Sequence, residues 1–137
     1  MAKERVIVFP ASTDRILQFL TTYSADWSEV AKRGDDIEAA EVEEAEFLLK
    51  KRLLDDNDDA VVTKLLSVGA TDMTIASGEI RVILAPEDTA GLKGKYYGTL
   101  RITLTTGAVI DWEDVDYAGV PYIVCNIAQG AVLLVEP

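Results

Sequence analysis

Histidine is absent from all 137 residues. Its absence excludes Ser-His triads, most zinc sites and the commonest general base. Only one cysteine is present, Cys125. No intrachain disulfide can form, and the thiol sits in an apolar run, Val120 to Ile127, where it reads as a buried structural group rather than a nucleophile. No apolar run approaches the roughly 20 residues of a transmembrane helix. The opening MAKERVIVFP lacks the long apolar core of a signal peptide, so synthesis and folding in the cytoplasm are expected. Positive charge is scarce too: 13 Lys and Arg stand against 24 Asp and Glu, for a net charge of −11. A phosphate backbone or an anionic membrane would be repelled, so neither nucleic acid nor a membrane is expected as a partner. The same charge favours solubility and suits docking onto a basic partner.

Hydrophobic residues make up 49% of the chain, enough for one domain with a sizeable core. The clearest pattern runs from Glu79 to Leu104. Ile80, Val82 and Leu84 share one face of a first strand; Leu100, Ile102 and Leu104 share one face of a second. Such alternation marks half-buried antiparallel strands. Between them lies D-T-A-G-L-K-G-K-Y, Asp88 to Tyr96. Leu92 followed four residues later by Tyr96 resembles the tyrosine corner of immunoglobulin-like sandwiches, in which the phenol bonds back to upstream backbone.

Other segments read as short strands and turns. Arg5 to Phe9 is a β-branched run stopped by Pro10, and Pro10 to Asp14 is a turn. Arg15 to Thr22 is the next strand. Ala60 to Leu66 fits a strand or a short helix, and Met73 to Ala76 a strand between two glycines. Thr105-Thr106-Gly107 is a hairpin signal before Ala108 to Trp112. Val120 to Ile127 and Ala131 to Val135 read as a final hairpin. Glu38 to Leu54 is ambiguous. Its composition and the Glu46–Lys50 spacing favour a helix, whereas Ala45, Phe47 and Leu49 alternate as in a strand.

Candidate chemistry is thin. Asp55-x-Asn57-x-Asp59 matches the first half of a calcium loop. The sharp-turn Gly is replaced by Ala60 and the bidentate Glu by Leu66, so a solvated turn is the better reading. Glu41, Glu43, Glu44 and Glu46 form a charged face without the geometry of a glycosidase pair. Gly91 and Gly94 lack the ending of a phosphate loop. Trp27 and Trp112 could stack on a sugar, but aromatics in a small sandwich are mostly core. No cofactor, metal site or catalytic residue is expected.

Two stretches resemble tailed-phage structural proteins. Tyr23-Ser-Ala-Asp-Trp27 with Gly34-Asp35-Asp36-Ile37 is similar to the D-W-S…G-D-x-I start of small fibre-tail adaptors. Lys50 to Leu104 is similar to the immunoglobulin-like domain of upper baseplate proteins. It has an Asp-rich turn, Ala60-Val-Val-Thr-Lys64, and Val82-Ile-Leu-Ala-Pro-Glu-Asp-Thr-Ala-Gly-Leu-Lys-Gly-Lys-Tyr96. The resemblance implies a strand over Ala45 to Arg52. Seven or more short strands with regular turn signals suggest an all-β sandwich, and the resemblance implies an immunoglobulin-like antiparallel one over residues 1–137, with 113–137 as an added C-terminal extension. It further implies a non-enzymatic virion component, a tail, fibre or baseplate adaptor working by contacts with other virion proteins and with copies of itself. Capsid decoration and a carbohydrate-binding sandwich are the alternatives. Apolar residues on both faces of the last hairpin suggest burial on both sides, the second cover being either an N-terminal strand of the same chain or a neighbouring subunit. Val120, Tyr122, Val124, Ile127, Val132 and Leu134 are therefore the expected assembly contacts.

Overall fold

The computed structural model describes residues 5–23, 29–52, 54–111 and 123–128. Among the described residues, nine strands form two sheets. They are β1 (Arg5–Pro10), β2 (Arg15–Leu20), β3 (Val42–Lys50), β4 (Val62–Leu65), β5 (Met73–Ala76), β6 (Glu79–Leu84), β7 (Gly94–Leu104), β8 (Val109–Asp111) and β9 (Ile123–Ala128). One sheet runs β1-β9-β7-β3-β4, with β8 paired to β7; the other runs β2-β6-β5. In immunoglobulin terms, β2, β6 and β5 stand as B, E and D, while β9, β7, β3 and β4 stand as G, F, C and the added strand of the variable type. The fold is an all-β sandwich.

Alternation builds the core. Leu17 and Phe19 of β2, Ile80, Val82 and Leu84 of β6, and Ala45, Phe47 and Leu49 of β3 turn inward. There they meet Tyr96, Leu100, Ile102 and Leu104 of β7. Phe19 and Phe47 touch across the sheets, their ring centroids 5.9 Å apart, within the range of favourable aromatic pairs. Gly98 sits where β7 passes over Phe47. A Cβ there would lie 2.9 Å from the Phe47 ring and 3.0 Å from Ile123 Cγ1.

Within the ambiguous segment, Ala39–Glu41 is a 3₁₀ turn and Val42–Lys50 is a strand, starting three residues before the implied Ala45 and ending two before Arg52. Ala45, Phe47 and Leu49 are fully buried, and β3 lies hydrogen-bonded between β4 and β7. Two strand neighbours and a core on the inner side outweigh helix propensity worth tenths of a kcal/mol per residue. The region Ala60 to Leu66 uses both expected conformations, with β4 running into a 3₁₀ turn at Leu66–Val68.

The strands are not all antiparallel as expected: β1 pairs with β9 in parallel, Val6 beside Val124 and Phe9 beside Ile127. A parallel pair needs a long crossover, and here nearly the whole chain provides it. Nor is Ile123–Ala128 peripheral to the sandwich. It lies between β1 and β7, and Ile123, Cys125 and Ile127 belong to the core.

Candidate functional site

The turn between β6 and β7 is anchored by residues the sequence reading passed over. Pro86–Thr89 forms one helical turn, α1. The Asp88 carboxylate accepts the Ala85 N–H at 2.7 Å and the Lys64 ammonium at 2.7 Å. Asp72 stands 3.8 Å from the same ammonium. Lys64 points inward from β4 and is only 7% exposed, so its charge is compensated by carboxylates from the opposite sheet's connections. Thr89 is fully buried, and its Oγ1 accepts the Ser12 N–H at 2.9 Å. Ser12 adopts φ 58° in the β1–β2 turn. Leu92 packs against the core, and its N–H donates to the Thr89 carbonyl at 3.0 Å. Tyr96 is buried beside Cys125. Among the described residues its hydroxyl has no hydrogen-bond partner, so packing holds it. The Asp88-Thr89 dipeptide within the quoted motif was the available signal.

The expected assembly contacts divide. Val124 and Ile127 are each 1% exposed, buried within the chain itself, so neither is available to a second molecule. Val120, Tyr122, Val132 and Leu134 lie outside the described residues, as do Trp27 and Trp112. Burial on both faces, inferred from the apolar run, holds for β9: Ile123 and Cys125 face the core, and Val124 on the opposite face is buried as well. The N-terminal strand is the lateral neighbour of β9 and not a cover over it.

The acidic turn after β3 carries its own cation. Lys50 is 8% exposed. Its Nζ donates to the Asp55 carbonyl at 2.9 Å and to Asn57 Oδ1 at 2.8 Å. These are the oxygen types a metal ion would take. Among the described residues, no group of three or more His, Cys, Asp or Glu is placed to hold a metal.

A cleft of about 330 Å³ opens beside the connection from β2 to β3, lined by Tyr23, Lys32, Asp35, Asp36, Glu38 and Glu41. Glu41 organises it. Its Oε2 accepts the Tyr23 hydroxyl at 2.9 Å and Lys32 Nζ at 3.2 Å, and its Oε1 accepts the Glu38 N–H at 3.0 Å. The Glu38 N–H, then the Tyr23 hydroxyl, hold the Glu41 carboxyl below its ordinary range. The bond to Glu41 raises the Lys32 ammonium. Burial, then the bond to Glu41, raises the Tyr23 phenol. All three move away from neutrality, so each is locked in one protonation state. Groups poised for general acid-base work move the other way. Cys125 is equally inert: burial pushes its thiol up to about 12.

Of the residues that carry the adaptor resemblance, Tyr23 and Gly34 to Ile37 lie in this connection, and 24–27 fall outside the described residues. Gly34, at φ 82°, donates its N–H to the Tyr23 carbonyl at 2.9 Å. Ile37 enters the core. Asp36 packs so closely on Gly78 that a Cβ there would lie 2.8 Å from its carboxyl carbon. These are structural roles. No protein-family model matches the chain, and no curated protein and no solved structure matches it either.

Proposed function

We propose that this protein is a non-enzymatic structural component of a tailed-phage virion, a tail, fibre or baseplate adaptor that works through protein–protein contacts. The observation that carries the reading is the sandwich itself. Tyr23 and Gly34 to Ile37, part of the stretch that resembles fibre-tail adaptors, lie in its connection from β2 to β3, and its strand order suits the resemblance to baseplate immunoglobulin-like domains. The three hydrogen-bonded groups of the Glu41 cleft, Tyr23, Lys32 and Glu41, shift away from neutrality, which suits a scaffold rather than a catalyst. In this reading the sandwich is a rigid block whose edges and loops meet copies of itself and neighbouring virion proteins. Mass spectrometry of purified particles tests the proposal: the chain should be present in stoichiometric, multi-copy amounts, and particles made without it should lack fibres or baseplate parts. Complete particles in which the chain is absent would overturn the reading.

A further inference from the structure

Among the described residues, β1 is an edge of the six-stranded sheet. Its exposed side chains are Val6, 52% exposed, and Val8, 64% exposed. An open edge is a template for another strand, and monomeric proteins blunt such edges with charge, proline, short length or inward-pointing ionic residues; in β1 the charge, Arg5, and the proline, Pro10, stand only at the two ends. The other edge of the same sheet is blunted. β4 has four residues, and its Lys64 turns inward between Asp72 and Asp88. β1 has six residues and no charge from Val6 to Pro10. Burial across the sheet's outer face also stops short of it. Along one cross-strand row Lys50, Tyr97, Val124 and Val6 follow one another. Lys50 and Val124 are buried, whereas Val6 is exposed.

We infer that the β1 edge pairs antiparallel with β1 of a second copy. The strand is self-complementary. Directly opposed residues of an antiparallel pair share a face, so with Ile7 opposite its own counterpart, Val6 lies opposite Val8 of the second copy, and the reverse contact repeats it. One two-fold axis makes both valine contacts and continues the sheet.

Charge favours the same arrangement. A second copy of a chain with net charge −11 is repelled over most of its surface. Eleven of the 24 acidic residues fall between Asp35 and Asp59, a stretch that includes β3 and the turn leading to β4, at the opposite end of the strand order. Edge-to-edge pairing through β1 places the two β3–β4 sides roughly 35–40 Å apart at strand spacings of about 4.8 Å. That is several times a Debye length of about 8 Å. One paired edge buries less than the roughly 1,200 Å² of a stable complex, so the pairing belongs to concentrated or multi-copy settings. It does not depend on the virion reading and fails or stands separately from it.

Sedimentation velocity on the full chain, from about 1 μM to about 1 mM, spans the affinities expected of so small a contact. The wild type should pass from monomer to dimer across that range. Val8→Lys, which installs a natural edge-blocking charge, should stay monomeric with an unchanged melting temperature at low concentration. A mixture of Val6→Cys and Val8→Cys should form disulfide-linked heterodimers faster than either variant forms homodimers, with buried Cys125 silent. A monomeric wild type at the highest concentration, a Val8→Lys dimer, or cross-linking without that preference would overturn the inference. So would a monomeric wild type whose Val8→Lys variant fails to join a different protein, since the edge would then serve another partner.

Discussion

The two lateral edges of the six-stranded sheet solve the same problem in opposite ways. Both present backbone groups that water or another strand must satisfy. At β4 the strand is short, its lysine is turned inward, and two carboxylates from different connections, Asp72 and Asp88, close over it. At β1 the strand is longer, uncharged beyond Arg5, and shows two valines to solvent. Among the described residues, one edge is closed by the chain's own carboxylates, and the other has no strand beyond it. The difference shows that apolar composition does not by itself decide burial. Val124 beside Cys125 is 1% exposed, whereas Val6 and Val8 on the equally apolar β1 are 52% and 64% exposed.

The largest expected effect lies at the closed edge. Lys64→Met leaves Asp88 and Asp72 partly buried without their cation, and removing one partner of a buried pair costs about 3 kcal/mol or more. Urea unfolding should show that loss, whereas Val8→Lys at the open edge should stay within about 0.5 kcal/mol under monomeric conditions, as surface changes do. Equal losses at both edges would erase the contrast. Between the edges, Gly98→Ala drives a methyl into the Phe47 ring and Ile123. Overpacking of that kind costs about 2 kcal/mol, readable as a lower denaturation midpoint. An unchanged midpoint would mean β7 can move off the ring.

The tie between the open side and the core offers a finer measure. Thr89→Val strands the Ser12 N–H in the β1–β2 turn and should cost about 1–2 kcal/mol. Hydrogen exchange should show the loss as faster exchange in β1 than in β4. The smallest effect is expected of Tyr96→Phe. With no partner among the described residues for its hydroxyl, the change should shift stability by less than about 0.5 kcal/mol. A loss of about 1 kcal/mol or more would reveal a hydrogen bond of the kind a tyrosine corner makes.

Much of the sandwich was legible in the residues. Period-2 alternation located β6 and β7, and their inward faces are the ones the pattern marks: Ile80, Val82 and Leu84 against Leu100, Ile102 and Leu104. The hairpin at Thr105 to Gly107 also follows from its residues, with Gly107 at φ 93° and its N–H donating to the Leu104 carbonyl at 2.8 Å. The candidate site was far less legible. Glu41 read as one of several solvated carboxylates, yet it gathers Tyr23, Lys32 and the Glu38 backbone around itself. Its partners come from an irregular connection, which has no period to read.

Local order depends on neighbours in the chain, so alternation and turn chemistry by themselves determined most strand positions and the all-β class. Three features were decided only by tertiary structure. The Glu38 to Leu54 segment holds competing helix and strand signals, and the strand prevails because β4 and β7 offer backbone partners while the core takes Ala45, Phe47 and Leu49. The parallel union of β1 with β9 joins residues more than a hundred positions apart, beyond the reach of any local pattern. The place of Val124 inside and of Val6 outside, side by side on one row, turns on what lies across the sheet, because burial belongs to the assembled layers and not to a residue's own hydrophobicity.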